Sequence, residues 1–477
     1  MTIERSVTLA YLAGCIVVGL LASRRVLNSR DEYWVAGRRI GTFVNSLAIM
    51  AALASGGSII GVMGLTYAQG IPASLALFTG AIIGFPLASL LVAEPLRRFG
   101  RFTITDFLRY RYPHALVGWV VPLLIVVSFT VYIVAQMKAA GITATVLLGI
   151  EYEVALTLAT LVFVLYVSIG GMLAVTWTDV FQGGLMLLVV AGTAAALIWQ
   201  FGTPGAILGS ALAQAPELGT LRDQPLGSYL GSFVIWATAI PIIPHIVMRV
   251  FTAKDARGAR LSLNIAMLLY AFMILAAVFA IAPVGRMRFP DLIDADMVFL
   301  RVMESEFSPL FRGLAVAAVM AAVMSTTDAL LLACSSAIAH DLIGQTILKR
   351  SLDYRAARWL AIGSAWGVGL VAMVLAYSPP ALISQFYTAA IGLLTSGLFV
   401  PTIAGLWWRR ANVAGGVAAL VVGVLTYLAA HFSPGMPPLS AILVALPASA
   451  VAMWLGGALG PPVPGEMLQE IERLHGG

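Results

Sequence analysis

The residues able to do chemistry stand out here because they lie where charge and hydroxyls are costly. The segment Met320 to Ser336, MAAVMSTTDALLLACSS, sets Ser325, Thr326 and Asp328 inside an apolar run too long to be soluble. An ionisable group within a membrane span costs about 2.5–3.5 kcal/mol on insertion scales, so its presence there is a functional expectation by default. With no basic residue beside them, these oxygens read as part of a cation-binding site. Asp328 follows Ser325 by three positions and shares its helical face. A second group is Tyr132, Gln136 and Lys138. Residues 132 and 136 stack on one face, whereas 136 and 138 point about 200° apart, so Gln136 and Lys138 cannot both line one pocket in a regular helix. Lys138 is the basic residue placed inside a span away from its ends. It either neutralises a substrate carboxylate or pairs with Asp179 or Asp328, and the permanent pair better explains a buried ammonium.

The composition states what must position these groups. Hydrophobic residues make up 60% of 477 and charged residues 10%, against roughly 25% charge in soluble domains. This describes an all-α polytopic membrane protein whose surroundings are the lipid bilayer. The net charge of +6 is spread over loops rather than gathered on one face, which argues against nucleic acid as a partner. No obligatory protein partner is evident. Cys15 and Cys334 both fall in apolar runs without metal-ligand spacing, so neither a disulfide framework nor a zinc site is expected. Val7 to Ala22 is expected to be a retained span rather than a signal peptide, because Arg24 and Arg25 follow it instead of preceding it.

A span takes about 20 apolar residues, and thirteen such runs are expected, from 6–24 to 438–457. With the N-terminus outside, 21 of the 28 basic residues fall on one face, including Arg97, Arg98, Arg249, Lys254, Lys349 and Arg350. Basic loops stay cytoplasmic, which puts the C-terminus inside and the protein in the plasma (inner) membrane. Two spans are interrupted five spans apart. The run 42–70 carries Ser55-Gly56-Gly57-Ser58, and the run 227–251 carries Pro241 and Pro244 before His245. Glycine and proline both weaken helix interiors. Matched breaks in two halves point to an inverted five-helix repeat with a site near the bilayer midplane. The expected division is 1–41 as an extra N-terminal helix and loop, 42–199 as the first repeat and 200–226 as an outer loop. The second repeat is 227–408, followed by 409–477 with two further helices and a short tail.

Four motifs then carry a resemblance. They are YVSIGGMLAVTWTDVFQG (Tyr166 to Gly183), PHIVMRVFTAKD (Pro244 to Asp255), MAAVMSTTDALLLACSS, and FVPTIAGLWWRRAN (Phe399 to Asn412). In this order and spacing the chain resembles the sodium/solute symporter family, over most of its length from Asp31 to Gly416. The resemblance implies the leucine-transporter type of inverted 5+5 repeat with two broken helices. It also implies Na+ held by carbonyls of Ala54, Gly57 and Ala322 with the hydroxyls of Ser325 and Thr326. The alternative for these hydroxyls is a bond back to their own helix. Some members bind a second sodium near this turn. The family's TD-x-x-Q acid is Asp179 here, with Gln182 one turn on, and Asp328 stands where a serine is expected. Two neighbouring carboxylates resist joint ionisation, so Asp179 and Asp328 read as a second cation or proton site. The competing reading puts Asp179 on the sodium exit path and pairs Asp328 with a helix donor.

For a small-molecule substrate, Ser55, Ser58, Trp236 and Thr238 join Tyr132, Gln136 and Lys138 as pocket residues, since unwound backbone offers donors to a carboxylate. His245 is read as hydrogen-bonded within the bundle rather than as a protonation switch. Ser58 to Gly70 and Pro244 to Thr252 resemble the acetate and short-chain monocarboxylate permeases most, with proline and pantothenate carriers sharing much of the pattern. The expected function is a sodium-coupled symporter importing such a monocarboxylate by alternating access. A solute sensor is the alternative of another class; about 20 residues after the last span leave no room for an attached kinase domain. No HExxH, nucleophile elbow or phosphate loop supports an enzyme.

Overall fold

The computed structural model describes residues 2–23, 30–167, 171–221, 224–378 and 382–476. Arg24, Arg25 and Asp223, which enter the charge pattern, and residues 168–170 of the Tyr166–Gly183 motif lie outside the described residues. The described chain is helical. The helices that frame the site are α1 (Ile3–Ser23), α2 (Thr42–Leu53), α3 (Gly57–Gln69), α4 (Ile71–Leu91), α5 (Ile104–Arg111), α6 (Ala115–Leu148) and α7 (Tyr152–Val167). They continue as α8 (Gly171–Phe201), α9 (Leu226–Ala239), α10 (Pro244–Thr252), α11 (Ala256–Arg288), α12 (Pro309–Ile347), α13 (Tyr354–Ala376), α14 (Ile383–Trp407), α15 (Val413–His431) and α16 (Ile442–Leu459).

Among the described residues, 11 helical stretches are long and apolar enough to cross a membrane. The bent pair α2 and α3 adds a twelfth. The 16-residue α7 falls short by length alone. Together they occupy the thirteen expected positions. The outermost helices bury little, 22% of the apolar window in both α1 and α16, while α12 buries 94%. Large apolar side chains such as Leu188, Trp199, Val371 and Leu425 remain exposed on the outer faces, as a lipid-facing surface requires. The helix carrying Ser325, Thr326 and Asp328 is therefore the axis of the bundle. It packs against α1, α2, α6 and α8.

Both interruptions are present, and they differ. α2 and α3 meet at 66°. Ala54 leaves the helical region (φ −71°, ψ 73°), and the Ser55 amide turns back to the Leu53 carbonyl at 2.8 Å. The Gly56 amide is taken by the Gln136 side chain at 3.0 Å. The second interruption, between Ala239 and Pro244, stays within one 27-residue stretch, Leu226–Thr252, without a comparable bend. Pro244 opens α10 at a position where its missing N–H is no loss.

Candidate solute and cation site at the broken helix

The end of α2 explains the hydroxyls of α12. Because the chain leaves the helix at Ala54, the carbonyls of Ala51 and Ala52 lose their amide partners four residues on. Ser325 donates to Ala51 O at 2.9 Å and Thr326 to Ala52 O at 3.1 Å. Ser325 also lies 3.2 Å from Ala322 O, the back-bond to its own helix that the sequence left open. Of the five residues expected at a sodium site, Ala54 and Gly57 bracket the break, and Ala322, Ser325 and Thr326 face it from α12. The hydroxyl bonds reach carbonyls one turn before those expected. All five are buried.

Beside this junction lies a closed aromatic group. Tyr132 and Tyr387 stack with ring centroids 4.7 Å apart, and Trp236 meets Tyr132 and Tyr387 edge-on at 6.5 and 5.7 Å. The indole of Trp236 donates to the Thr388 hydroxyl at 3.0 Å. Ser58 bonds Tyr270 at 3.1 Å and lies 3.5 Å from Ser55. Gln136 holds the broken strand through Gly56, and its side-chain NH2 group has no partner among the described residues. A Cβ at Gly57 would fall 2.2 Å from the Tyr387 ring, so glycine is what lets the break approach the aromatic floor. The structure thus brings Ser55, Ser58, Tyr132, Gln136 and Trp236 together. It adds Tyr270, Tyr387 and Thr388, which the sequence reading missed because each is one polar tip in a long apolar helix.

Two expected pocket residues have partners of their own. The Thr238 hydroxyl bonds back to Val234 O at 2.6 Å on its own helix, where a free hydroxyl in an apolar setting finds its nearest acceptor. Lys138 faces away from Gln136, as the helical angle requires, and its ammonium meets Asp296 at 2.8 Å. Asp296 is thus a partner other than the substrate carboxylate, Asp179 or Asp328 expected from the sequence.

Asp179 pairs instead with Arg249, whose guanidinium also bonds the Thr176 hydroxyl. Counting Arg249 with a cytoplasmic loop was an error, since the residue is 1% exposed within α10. The signal was available in PHIVMRVFT, where Arg249 is flanked only by apolar residues and the loop begins at Lys254. Arg111 is likewise buried and donates to Gly405 O at 3.0 Å. Asp179 and Arg249 both lie within electrostatic reach of Asp328. Both carboxylate oxygens of Asp328, the Thr327 hydroxyl and one oxygen of Asp179 have no hydrogen-bond partner among the described residues. Asp328 is thus not paired with a helix donor. Neither nitrogen of His245 makes the hydrogen bond expected of it; its ring packs against Phe129 at 5.4 Å.

Residues 33–423 match the sodium:solute symporter family. The osmoregulated proline transporter OpuE of Bacillus subtilis (strain 168) is 29% identical over 448 residues, which span 90% of this chain and 89% of OpuE. A solved sodium-coupled sialic acid symporter, substrate-bound and outward-open, matches with a TM-score of 0.81 at 19% identity, over 97% of this chain and 99% of that one. Mhp1, a nucleobase-cation-symport-1 family transporter in a closed conformation with bromovinylhydantoin bound, matches at 0.57 and 15%, over 92% and 98%. At those identities the likeness to the two structures is one of fold, and that fold is the expected leucine-transporter type. Family and fold are those of transporters rather than enzymes. With more than three quarters of its length matched and its broken helix seated on the Ser325–Thr326 turn, this membrane-spanning chain belongs to the sodium:solute symporter family.

Proposed function

We propose that this protein couples sodium entry to import of a small zwitterionic or anionic solute, with a proline-like amino acid as the first candidate. The observation that carries the reading is the aromatic group of Tyr132, Trp236 and Tyr387 set against the unwound Ala54–Gly57 segment. The N-terminal end of α3 at Gly57, with the Ser55 and Ser58 hydroxyls beside it, suits a carboxylate. Aromatic faces suit an ammonium beside it. With Lys138 committed to Asp296, the pocket offers no lysine to balance a bare anion, which favours a solute that carries its own positive charge. The resemblance to OpuE agrees with that choice. A short-chain monocarboxylate such as acetate or pyruvate is the second reading, favoured by the Ser58–Gly70 and Pro244–Thr252 motifs.

In this reading Na+ sits between the carbonyls at the α2 break and the hydroxyls of Ser325 and Thr326. Its binding holds α2 and α12 in one arrangement, the solute completes the pocket, and both leave on the other side as the repeats 42–199 and 227–408 rock against each other. Asp328, beside the neutralised Asp179–Arg249 pair, takes a second cation or a proton. The N-terminus lies outside and the C-terminus in the cytoplasm. The test is uptake of labelled proline, acetate, pyruvate and pantothenate into proteoliposomes under an imposed sodium or proton gradient, for the parent and Ser325→Ala. Sodium-driven proline uptake lost in the variant supports the reading. Sodium-driven acetate uptake selects the second solute, and proton-driven uptake indifferent to Ser325 overturns the sodium site.

A further inference from the structure

At the arginine-rich end of the bundle, away from the solute pocket, α5 and the last turns of α12 bring together two carboxylates and an imidazole. His340 Nε2 lies 3.2 Å from each oxygen of Asp106 and 3.9 Å from Asp341 Oδ1. One ligand atom from each of the three falls within 4.8 Å of the other two. A first-row metal with bonds of about 2.1 Å holds its donors about 3.0–4.2 Å apart, depending on the angle between them. The His340 contacts already span that range.

The surroundings are built as for a ligand set. The Phe102 and Thr103 amides fix Asp106 Oδ2 at 3.2 and 3.3 Å. The Thr103 hydroxyl orients Asp341 Oδ1 at 2.9 Å, in the way that outer hydrogen bonds orient metal-ligating carboxylates. Asp341 is 1% exposed, and its second oxygen has no hydrogen-bond partner among the described residues. Burying a carboxylate oxygen without such a partner is costly, and Oδ1 of the same group is the atom that faces His340. The side chains of His340 and Asp106 remain 10% and 13% exposed, which gives an entry path. Two carboxylates and a neutral imidazole carry two negative charges, which one divalent ion cancels.

We propose that Asp106, His340 and Asp341 form a binding site for a divalent first-row transition-metal ion, which would clamp α5 to the end of α12. Carboxylate oxygens with one imidazole nitrogen suit ions of the Mn2+ to Zn2+ series, rather than thiolate-seeking soft ions. The site is independent of the solute and of sodium.

The test uses full-length protein in detergent, stripped with chelator and titrated calorimetrically with Zn2+ and with Mn2+. The parent is expected to bind one ion per chain, and His340→Gln and Asp106→Asn each to weaken that binding at least tenfold. Hydrogen exchange of the α5 amides gives a readout that a merely structural histidine would not. Metal should slow it in the parent and leave it unchanged in His340→Gln. Absence of saturable binding overturns the proposal. So does binding that both substitutions leave intact, which would belong to other surface histidines.

Discussion

Lys138 Nζ and Asp296 Oδ2 are 2.8 Å apart with side-chain exposures of 5% and 0%, and the pair fastens the loop 289–297 onto the transport core. Asp296 also accepts the Ile383 amide at 3.3 Å. Gly64 of α3 packs so closely on the loop that an added Cβ would fall 2.5 Å from Asp296 Oδ1. Tyr67 of the same half-helix bonds Phe289 O and the Leu292 amide at 2.6 and 2.8 Å. The loop 289–297 thus covers α3, the second half of the broken helix. Removing one member of a buried pair costs about 3–5 kcal/mol, because the other charge stays behind. Lys138→Met is expected to lower the unfolding temperature sharply, and Lys138→Met with Asp296→Asn to recover most of it. Burial pushes the Asp296 carboxyl above the usual carboxylate range, and the Lys138 ammonium opposes that push. Losing the lysine drives it higher. A carboxyl raised by folding stabilises while protonated and loses that contribution as pH rises through its folded value. The single variant should therefore lose stability with rising pH more steeply than the parent, as thermal unfolding across pH would read.

Gly57→Ala tests whether the break must touch the aromatic floor. The new Cβ would meet the Tyr387 ring at 2.2 Å, a contact relieved only by moving the ring or the break. Overpacking of this kind costs about 1–3 kcal/mol, which leaves the bundle folded but displaces Tyr387 from Tyr132. Solute uptake is expected to fall at least tenfold with the monodisperse gel-filtration profile kept. Uptake within a factor of two of the parent would show that the ring does not line the pocket.

The architecture was legible because span length and the paired breaks are properties of long stretches. Thirteen positions follow from those patterns, whereas the seat of Ser325 and Thr326 at the broken helix came with the resemblance to the sodium/solute symporter family. The ion-pair partners were not legible. Asp296 lies 158 positions from Lys138, and no local pattern says which loop acid turns into the bundle. Arg249 was missed for a different reason: at the end of an apolar run a basic residue reads as a loop marker, although its apolar neighbours in PHIVMRVFT argue for burial. Thr238 shows the opposite failure, a polar residue beside a real break whose hydroxyl its own helix satisfies.

Ser325→Ala removes the 2.9 Å bond to Ala51 O and one hydroxyl proposed to hold sodium. A hydrogen bond of this kind is worth about 1 kcal/mol, and loss of an ion ligand costs at least as much. The sodium concentration for half-maximal uptake is expected to rise roughly tenfold. Ser335→Ala is the control on the same helix, because its hydroxyl bonds only its own turn at Leu331 O, 2.7 Å away. Sodium titration of uptake should leave Ser335→Ala unchanged. Equal shifts in both variants would refute a specific role for Ser325.

Asp328 poses a question of charge. Arg249 balances Asp179, while both oxygens of Asp328 lack donors among the described residues, in a wholly buried site. An isolated carboxylate there is expensive, which is why a proton or an ion is proposed for it at some stage of the cycle. If that cation travels with the solute, Asp328→Asn moves one positive charge fewer per solute, and reversal potentials of uptake currents in proteoliposomes measure the difference directly. A pH-dependent current in the parent that becomes flat in Asp328→Asn identifies the cation as a proton, whereas a lower sodium exponent with unchanged pH dependence identifies it as sodium. Asp179→Asn should behave differently, leaving Arg249 buried without its carboxylate and lowering stability by about 3–5 kcal/mol. An unchanged charge-to-solute ratio in Asp328→Asn would mean that the carboxyl keeps its proton throughout and serves only to fill the space beside Arg249.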